Sequence, residues 1–158
     1  MGQGITYCGV NTYFQNGRAE KAIRYLQTMA RKNILHEKVR WLEAIHMSLW
    51  TYVLQMAVHM HNNVPNAADD SSRLEAFTRI SVSFKSSHYH TFGCPVYMLT
   101  TEAEQGRSKK WEVRSVLGIY LGRSPHHAEF VSLVLNLTTG NVLPQFHVGH
   151  DDSFEKTR

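Results

Sequence analysis

In the stretch Gln15–Arg31, QNGRAEKAIRYLQTMAR, a loop marked by Gly17 leads into a basic helix, and the other elements of the chain can be placed relative to it. After that loop, apolar side chains recur at steps of three and four residues, as they do on one face of a helix. These residues are Ala19, Ile23, Leu26, Ala30 and Ile34. The spacing predicts a helix that runs from Arg18 to about Glu37.

One acid, Glu20, lies in the first turn of this predicted helix. It shares a strip with Arg24, Gln27 and Arg31 that borders the apolar stripe, so Glu20 is expected where protein surface meets core. That position suits an acid in a shallow site. The alternative is an ordinary first-turn acid, which the helix dipole favours by about 0.3–1 kcal/mol and which pairs with Arg24. Spacing alone leaves both interpretations open.

The net charge of +4 is concentrated in the first part of the chain. Residues 1–63 carry seven lysines and arginines against three glutamates, whereas residues 64–158 carry ten basic and ten acidic side chains. A localised basic surface favours a polyanion such as nucleic acid, and a solvated helix face is the alternative. With 158 residues, of which 42% are hydrophobic and 19% charged, we expect a mostly folded chain with one ordinary core, or a half-domain and a small second one.

Two further helices and one strand are predicted around this stretch. Residues 5–14 are rich in aromatic and branched side chains, which favours a strand and the loop that leaves it. A second helix is expected over Trp41–Asn62, with an apolar stripe of Leu42, Ile45, Leu49, Val53, Met56 and Met60. Ser72 and Glu75 have the spacing of a capping box, which predicts a short helix through Phe77.

Beyond Arg79 the pattern changes to short β-type runs separated by turns. The runs are Phe92–Leu99, Val116–Leu121, Phe130–Leu137 and Val142–Val148. Residues 138–141 predict a tight hairpin between the last two runs, and residues 101–114 form a long charged loop. Four or five short strands in this space predict a small barrel. The tail from Gly149 to Arg158 is polar and is expected to be loose.

The sequence gives little support for a disulfide-bonded protein, a zinc protein or a membrane protein. Cys8 and Cys94 are far apart and outside any Cys-x-x-Cys motif, which indicates a reducing compartment and two small buried residues. The ten histidines form close pairs, but cysteines at zinc-site spacing do not accompany them, so we interpret them as scattered. No apolar run approaches the length of about 20 residues that spans a bilayer. We therefore expect an intracellular protein that is neither secreted nor in a membrane.

Residues 13–21, YFQNGRAEK, resemble the Gln-Asn-Gly-x-Ala-Glu-Arg segment of the integrases of copia-type LTR retrotransposons. Residues 41–44 resemble the start of the next helix of that family, and residues 90–97 resemble its Phe-Gly-Cys-Pro-x-Tyr segment. Residues 114–125 and 137–142 resemble the small Src-homology-3-like barrel that follows the family's core. With the two barrel segments counted as one, these are four blocks in the family's order, which makes the resemblance specific.

The resemblance implies an α+β fold: the C-terminal part of a ribonuclease-H-like integrase core, with one strand or loop and two long helices, followed by the all-β barrel. Such a core holds two Mg²⁺ or Mn²⁺ ions on two aspartates and a glutamate for strand transfer. Glu20 matches the position of that glutamate, both as catalytic residue and as metal ligand. Asn16 and Gly17 match the loop beside the active centre, and Arg24, Gln27 and Arg31 lie along the expected DNA side.

The chain also departs from the family's pattern. In the family both aspartates precede the glutamate, whereas residues 1–19 contain no Asp or Glu, and the first aspartates of the chain are Asp69 and Asp70. A single carboxylate does not hold a pair of metal ions. We therefore expect an integrase fragment that is catalytically inactive alone and does not bind the metal productively. A degenerate genomic copy or a truncated gene model would have this form.

The expected organisation is a part of the integrase core over residues 1–66, a linker with a short helix over 67–89, a barrel over 90–150 and a tail over 151–158. DNA is the expected partner, in the nucleus or in a cytoplasmic particle of the element. Because half a core leaves apolar helix faces uncovered, self-association into a homo-oligomer is a further expectation. The competing hypothesis is a non-catalytic module from a transposable element that binds DNA or a protein, in which Glu20 is only a first-turn acid.

Overall fold

The computed structural model of the protein describes residues 9–10, 16–67, 70–81, 85–128 and 130–155. Within these ranges the chain forms four α-helices and a five-stranded antiparallel sheet, so the predicted α+β class is confirmed. The strand predicted over residues 5–14 lies, apart from residues 9 and 10, outside the described residues.

The first helix, α1, spans Gly17–Arg40 and confirms the helix predicted from the opening stretch. The second, α2, spans Trp50–Asn63, and the prediction that it begins at Trp41 was wrong. The chain turns after α1, and His46 then adopts an extended backbone whose Nδ1 accepts from the backbone N–H of Ser48 at 3.2 Å. This cap starts a 3₁₀ turn over Met47–Leu49. The apolar residues before it therefore lie in the connection between α1 and α2.

Two short helices follow. The third helix, α3, spans Arg73–Thr78 and begins with the predicted capping box. The Ser72 hydroxyl accepts from the backbone N–H of Glu75 at 3.1 Å, and the Glu75 carboxylate accepts from the backbone N–H of Ser72 at 2.8 Å. The fourth helix, α4, spans Thr101–Glu104 and lies at the start of the predicted charged loop.

The sheet contains β1 (Pro95–Leu99), β2 (Ser115–Arg123), β3 (Ser132–Asn136), β4 (Val142–Gln145) and β5 (Val148–His150). Its strand order is β4-β3-β2-β1-β5. The four predicted β-type runs are all present, and the last of them divides into β4 and β5. The predicted hairpin turn is also present: Gly140, with φ of 72°, donates its N–H to the carbonyl of Asn136 at 2.8 Å.

The sheet is strongly curled, because β4 and β5 lie at opposite edges and only Phe146 and His147 separate them. Three Cα–Cα steps span at most about 11 Å. The outer strands of a flat five-stranded sheet would lie about 19 Å apart. An irregularity in β2 between Tyr120 and Gly122 marks a bend in the longest strand.

One hydrophobic cluster joins the helices to the sheet. It contains Ala30 and Ile34 of α1, Val53, Met56 and Ala57 of α2, and Val96, Ile119, Leu121 and Val134 of the sheet. At Gly93 a Cβ atom would lie only 2.8 Å from Cδ1 of Ile45, which shows how closely the two layers approach. The predicted division into core part, linker and barrel stays a prediction, but its first and third regions share this core.

The prediction of a loose tail was wrong for the described residues 149–155. Gly149 and His150 belong to β5, and the Phe154 side chain is 2% exposed. The guanidinium of Arg40 lies 5.1 Å from the centre of the Phe154 ring, so the end of α1 contacts this segment. A single apolar anchor and a strand pairing therefore order a stretch whose composition is polar.

Candidate nucleic-acid interface

The first half of α1 extends away from the core. All nine residues of Gly17–Tyr25 are exposed, whereas the buried residues of this helix are Ala30, Ile34 and Glu37. The predicted apolar stripe is therefore buried only in its second half, and Ile23 is 55% exposed. Among the described residues, the first half of α1 contacts α2 through Tyr25, whose ring centre lies 5.3 Å from that of His61.

Five cations of α1 form what we call the basic face: Arg18, Lys21, Arg24, Arg31 and Lys32. All five side chains are exposed. At 100° per residue they cover an arc of about 140° on the side opposite Ala30 and Ile34. Within the described part of the chain, no ion pair joins any of them to an acid. Their charge is therefore directed to solvent.

The structure brings the predicted DNA-side residues together on one helix. Arg24, Gln27 and Arg31 are exposed at successive turns of α1, and Asn16 and Gly17 lie at its start. This arrangement follows directly from helical periodicity, which is why the sequence could predict it.

Glu20 lies in the exposed first turn of α1, where its helical neighbours are exposed too. The expectation that it stands where surface meets core was wrong, because the residues of α1 that pack in or against the core begin at Met29. No group of three His, Cys, Asp or Glu side chains that could hold a metal ion occurs among the described residues. The carboxylate position agrees with a first-turn acid favoured by the helix dipole.

Sequence reasoning gave no role to Glu37, the buried acid of α1. Its side chain is 5% exposed, with Oε1 2.8 Å from Nδ1 of His36 and Oε2 3.6 Å from Nη1 of Arg40. The second distance is an ion pair and is too long for a hydrogen bond. Glu37 is therefore buried in the second half of α1, in contrast to the exposed Glu20 at the start of the same helix.

Two histidines from segments that are distant in the sequence, His90 and His150, form a contact in the structure. The rings of His90 and His150 stack with centroids 3.5 Å apart and planes 2° from parallel. Nδ1 of His90 lies 2.8 Å from Oδ2 of Asp152, whose Oδ1 accepts from the backbone N–H of Thr91 at 2.6 Å. These contacts connect the segment before β1 to the segment after β5.

The environment of this cluster changes its ionisation. Burial and the neighbouring His90 lower the pKa of His150 to about 4. Burial would raise the pKa of Asp152, but hydrogen bonds from His90 and Thr91 outweigh it and lower the pKa. Burial and the Asp152 carboxylate raise the pKa of the Cys94 thiol, so Cys94 is protonated and is no nucleophile at neutral pH.

Comparisons of the chain with protein families, with curated proteins and with solved structures found no match. Among the described residues, no helix combines the length and the apolar character needed to cross a bilayer. The resemblance to copia-type integrases therefore stays a prediction that rests on the four sequence blocks.

Proposed function

We propose that the protein binds DNA through the basic face of α1 and derives from a copia-type retrotransposon integrase. The observation that carries the proposal is the exposure of all five cations of that face on a helix end that extends from the core. Cations that are directed to solvent and have no ion pair with an acid of the described residues can exchange their counterions for phosphates.

The geometry of the basic face suits a nucleic-acid backbone more than a small anion. Arg18 and Arg31 are 13 positions apart along α1, which corresponds to about 20 Å at 1.5 Å per residue. A duplex presents one phosphate charge per about 1.7 Å of its axis, so a row of this length meets several phosphates. Contacts of this type position the protein and carry little sequence information.

The strand order supports the barrel part of the proposed family. A five-stranded antiparallel sheet ordered β4-β3-β2-β1-β5, curled so that two residues link its edges, agrees with a Src-homology-3-like barrel. The ribonuclease-H-like part rests on the sequence blocks and on the two long helices. Glu20 is then the glutamate of an incomplete triad.

The residues present do not fit the metal pair of an integrase. Glu20 is one exposed carboxylate, and no described group of three ligands accompanies it. We propose that residues 1–158 do not transfer DNA strands with Mg²⁺ or Mn²⁺. Metal-dependent joining of DNA ends by the purified chain would contradict this part of the proposal without affecting DNA binding.

Fluorescence anisotropy with a labelled duplex tests DNA binding. The variant with Arg24→Ala and Arg31→Ala should bind at least tenfold more weakly at low salt, and its log–log salt slope should fall by about 2. The matched control is Arg107→Ala with Arg114→Ala, which removes the same charge from the exposed loop before β2. It should bind within about threefold of the unaltered chain.

An equal loss of DNA affinity in both variants would mean that only the net charge of the protein matters. Unchanged affinity in both would mean that the basic face is solvated and does not bind DNA. The second result would favour the competing protein-interaction module. That hypothesis has one specific observation in its support, the exposed apolar side chains of Val39, Leu42 and Trp50, which are 86%, 69% and 58% exposed.

A further inference from the structure

A cleft of ≈ 590 Å³ lies between α2, α3 and the end of β2. Its volume is in the range of small-ligand sites. The polar side chains on its walls are Gln55, His59, Asn62, Asn63, Tyr89, Arg123, Ser124 and His127. Among the described lining residues none is acidic. The cleft therefore combines a guanidinium with neutral donors and two imidazoles, which suits an anion.

The guanidinium of Arg123 is held in place by two rings. It lies 5.8 Å from the centre of the Tyr89 ring, and its Nη1 is 3.4 Å from Nε2 of His59. His59 stacks on Tyr89 with centroids 5.8 Å apart. Burial and the charge of Arg123 lower the pKa of His59, so its ring is neutral at neutral pH and can accept from the guanidinium. This fixed orientation reduces the entropy that a ligand must overcome.

The carboxyl end of α2 forms one wall of the cleft, and the partial negative charge of a helix end would oppose an anion. Two carbonyls near this end accept hydrogen bonds from side chains. The Asn63 side chain donates to the carbonyl of His59 at 2.8 Å, and Nη1 of Arg73 donates to the carbonyl of His61 at 2.9 Å. The end of α2 therefore contributes side-chain donors while two of its carbonyls are satisfied.

The wall after β2 contributes a second imidazole. Nδ1 of His127 lies 2.6 Å from the hydroxyl of Ser124, which is 9% exposed. Gly122 has no side chain to extend into the cleft, and a Cβ atom there would lie 3.7 Å from Cβ of Met56. The missing side chain keeps the floor of the cleft open beside Arg123.

We propose that this cleft binds a phosphate group, with Arg123 as its main ligand and His127 and Asn62 as further donors. The planar guanidinium matches the oxygens of phosphate in a two-point contact. The group is carried either by a small phosphorylated molecule or by a nucleic-acid end. The proposal stands apart from the basic face, because none of that face's five cations lines the cleft.

The test is a titration of the full chain with inorganic phosphate, followed by two-dimensional NMR of backbone amides and arginine side chains. We expect a dissociation constant on the order of 1 mM, with shifts concentrated at Arg123 and His127. Arg123→Gln should weaken binding at least tenfold, Arg123→Lys less, and His127→Gln about threefold. Arg107→Gln, which removes an exposed cation elsewhere, should leave binding unchanged.

Two further ligands identify the source of the phosphate. Tighter binding of a 5′-phosphorylated dinucleotide than of phosphate would assign a nucleic-acid end, provided that the unphosphorylated dinucleotide does not compete. Tighter binding of a sugar phosphate would assign a small molecule. Either result supports the cleft.

Absence of saturable shifts, or shifts confined to the cations of α1, would overturn the proposal. The shift map of the unaltered chain decides the matter if Arg123→Gln fails to fold. The Arg24→Ala, Arg31→Ala variant should retain phosphate binding in the cleft, so failure of DNA binding and failure of this site are distinguishable.

Discussion

The two halves of α1 have the same backbone structure and opposite environments. Residues 17–25 are exposed on all sides, whereas Ala30, Ile34 and Glu37 lie in the core beside α2 and the segment before β1. Among the described residues, intrinsic helix propensity and the contact of the Tyr25 ring with His61 on α2 hold the first half, and apolar burial holds the second. The difference shows that one helix can be divided between binding and stability, so substitutions in its two halves should separate these properties.

The largest effect is expected from truncating the apolar anchor of the second half. Ile34 is 1% exposed, and Ile34→Ala should lower the free energy of unfolding by about 2–4 kcal/mol, because it removes buried methyl groups and leaves a cavity. Ile23→Ala, on the exposed half, should change it by less than about 0.5 kcal/mol. Urea denaturation followed by circular dichroism measures both. Similar losses for the two variants would mean that the first half is buried in solution by a partner or a second copy.

The two glutamates of α1 provide the second test. Glu37→Gln should lower the free energy of unfolding by about 1–3 kcal/mol, because it removes the charge interaction with Arg40 and places an amide N–H₂ group where a buried carboxylate oxygen lies. Glu20→Gln should change the free energy of unfolding by about 0.5 kcal/mol or less, because it removes only the interaction of the carboxylate with the helix dipole. Chemical denaturation of both variants at neutral pH gives the values. If Glu20→Gln proves the more costly, then Glu20 has a structural partner outside the described residues.

The smallest expected effect is a loss of stability in mild acid from the cluster of His90, His150 and Asp152. The folded-state pKa of His150 lies near 4, below its usual 6.5, so its contribution is complete above pH 6.5 and declines as the pH falls toward 4. We expect a loss of about 1–2 kcal/mol over this range, after allowance for partial solvent contact of the ring. The depressed pKa of Asp152 extends the decline to lower pH.

Hydrogen exchange should locate this loss in residues 148–155 and in the end of α1 that contacts Phe154, with little change in the first half of α1. His150→Gln should flatten the stability profile between pH 6.5 and 4. An unchanged profile in that variant would assign the acid sensitivity to other groups.

The sequence predicted the elements whose apolar residues repeat locally. It predicted α1, the capping box of α3, the hairpin at Gly140 and the four β-type runs, because each depends on residues a few positions apart. It failed at residues 41–49. Apolar residues there have helical spacing, but they form the connection between α1 and α2, because the cap at His46 starts a 3₁₀ turn. It also failed at the tail, because one residue, Phe154, supplies the burial there.

The candidate sites divide in the same way. The basic face could be predicted because helical periodicity alone places Arg24 and Arg31 together. The contacts between His59 and Arg123 and between His90 and Asp152 join residues more than 60 positions apart. Only the curled sheet and its packing on α2 bring these residues together, and single-sequence patterns contain no information on such pairs. Glu37 was missed because charged residues are rarely fully buried.

The two-residue link between β4 and β5 has a consequence for how the protein folds. One edge of β1 pairs with β5, for example Val96 with His150. That edge stays unpaired until β2, β3 and β4 have formed and curled, because these strands precede β5 in the chain. Pairings over such a sequence separation raise the contact order and slow folding. During synthesis, β1 presents an open edge to other chains for as long as the rest of the sheet takes to emerge. Recombinant yield should therefore depend on expression rate and temperature more strongly than the stability of the finished fold would suggest.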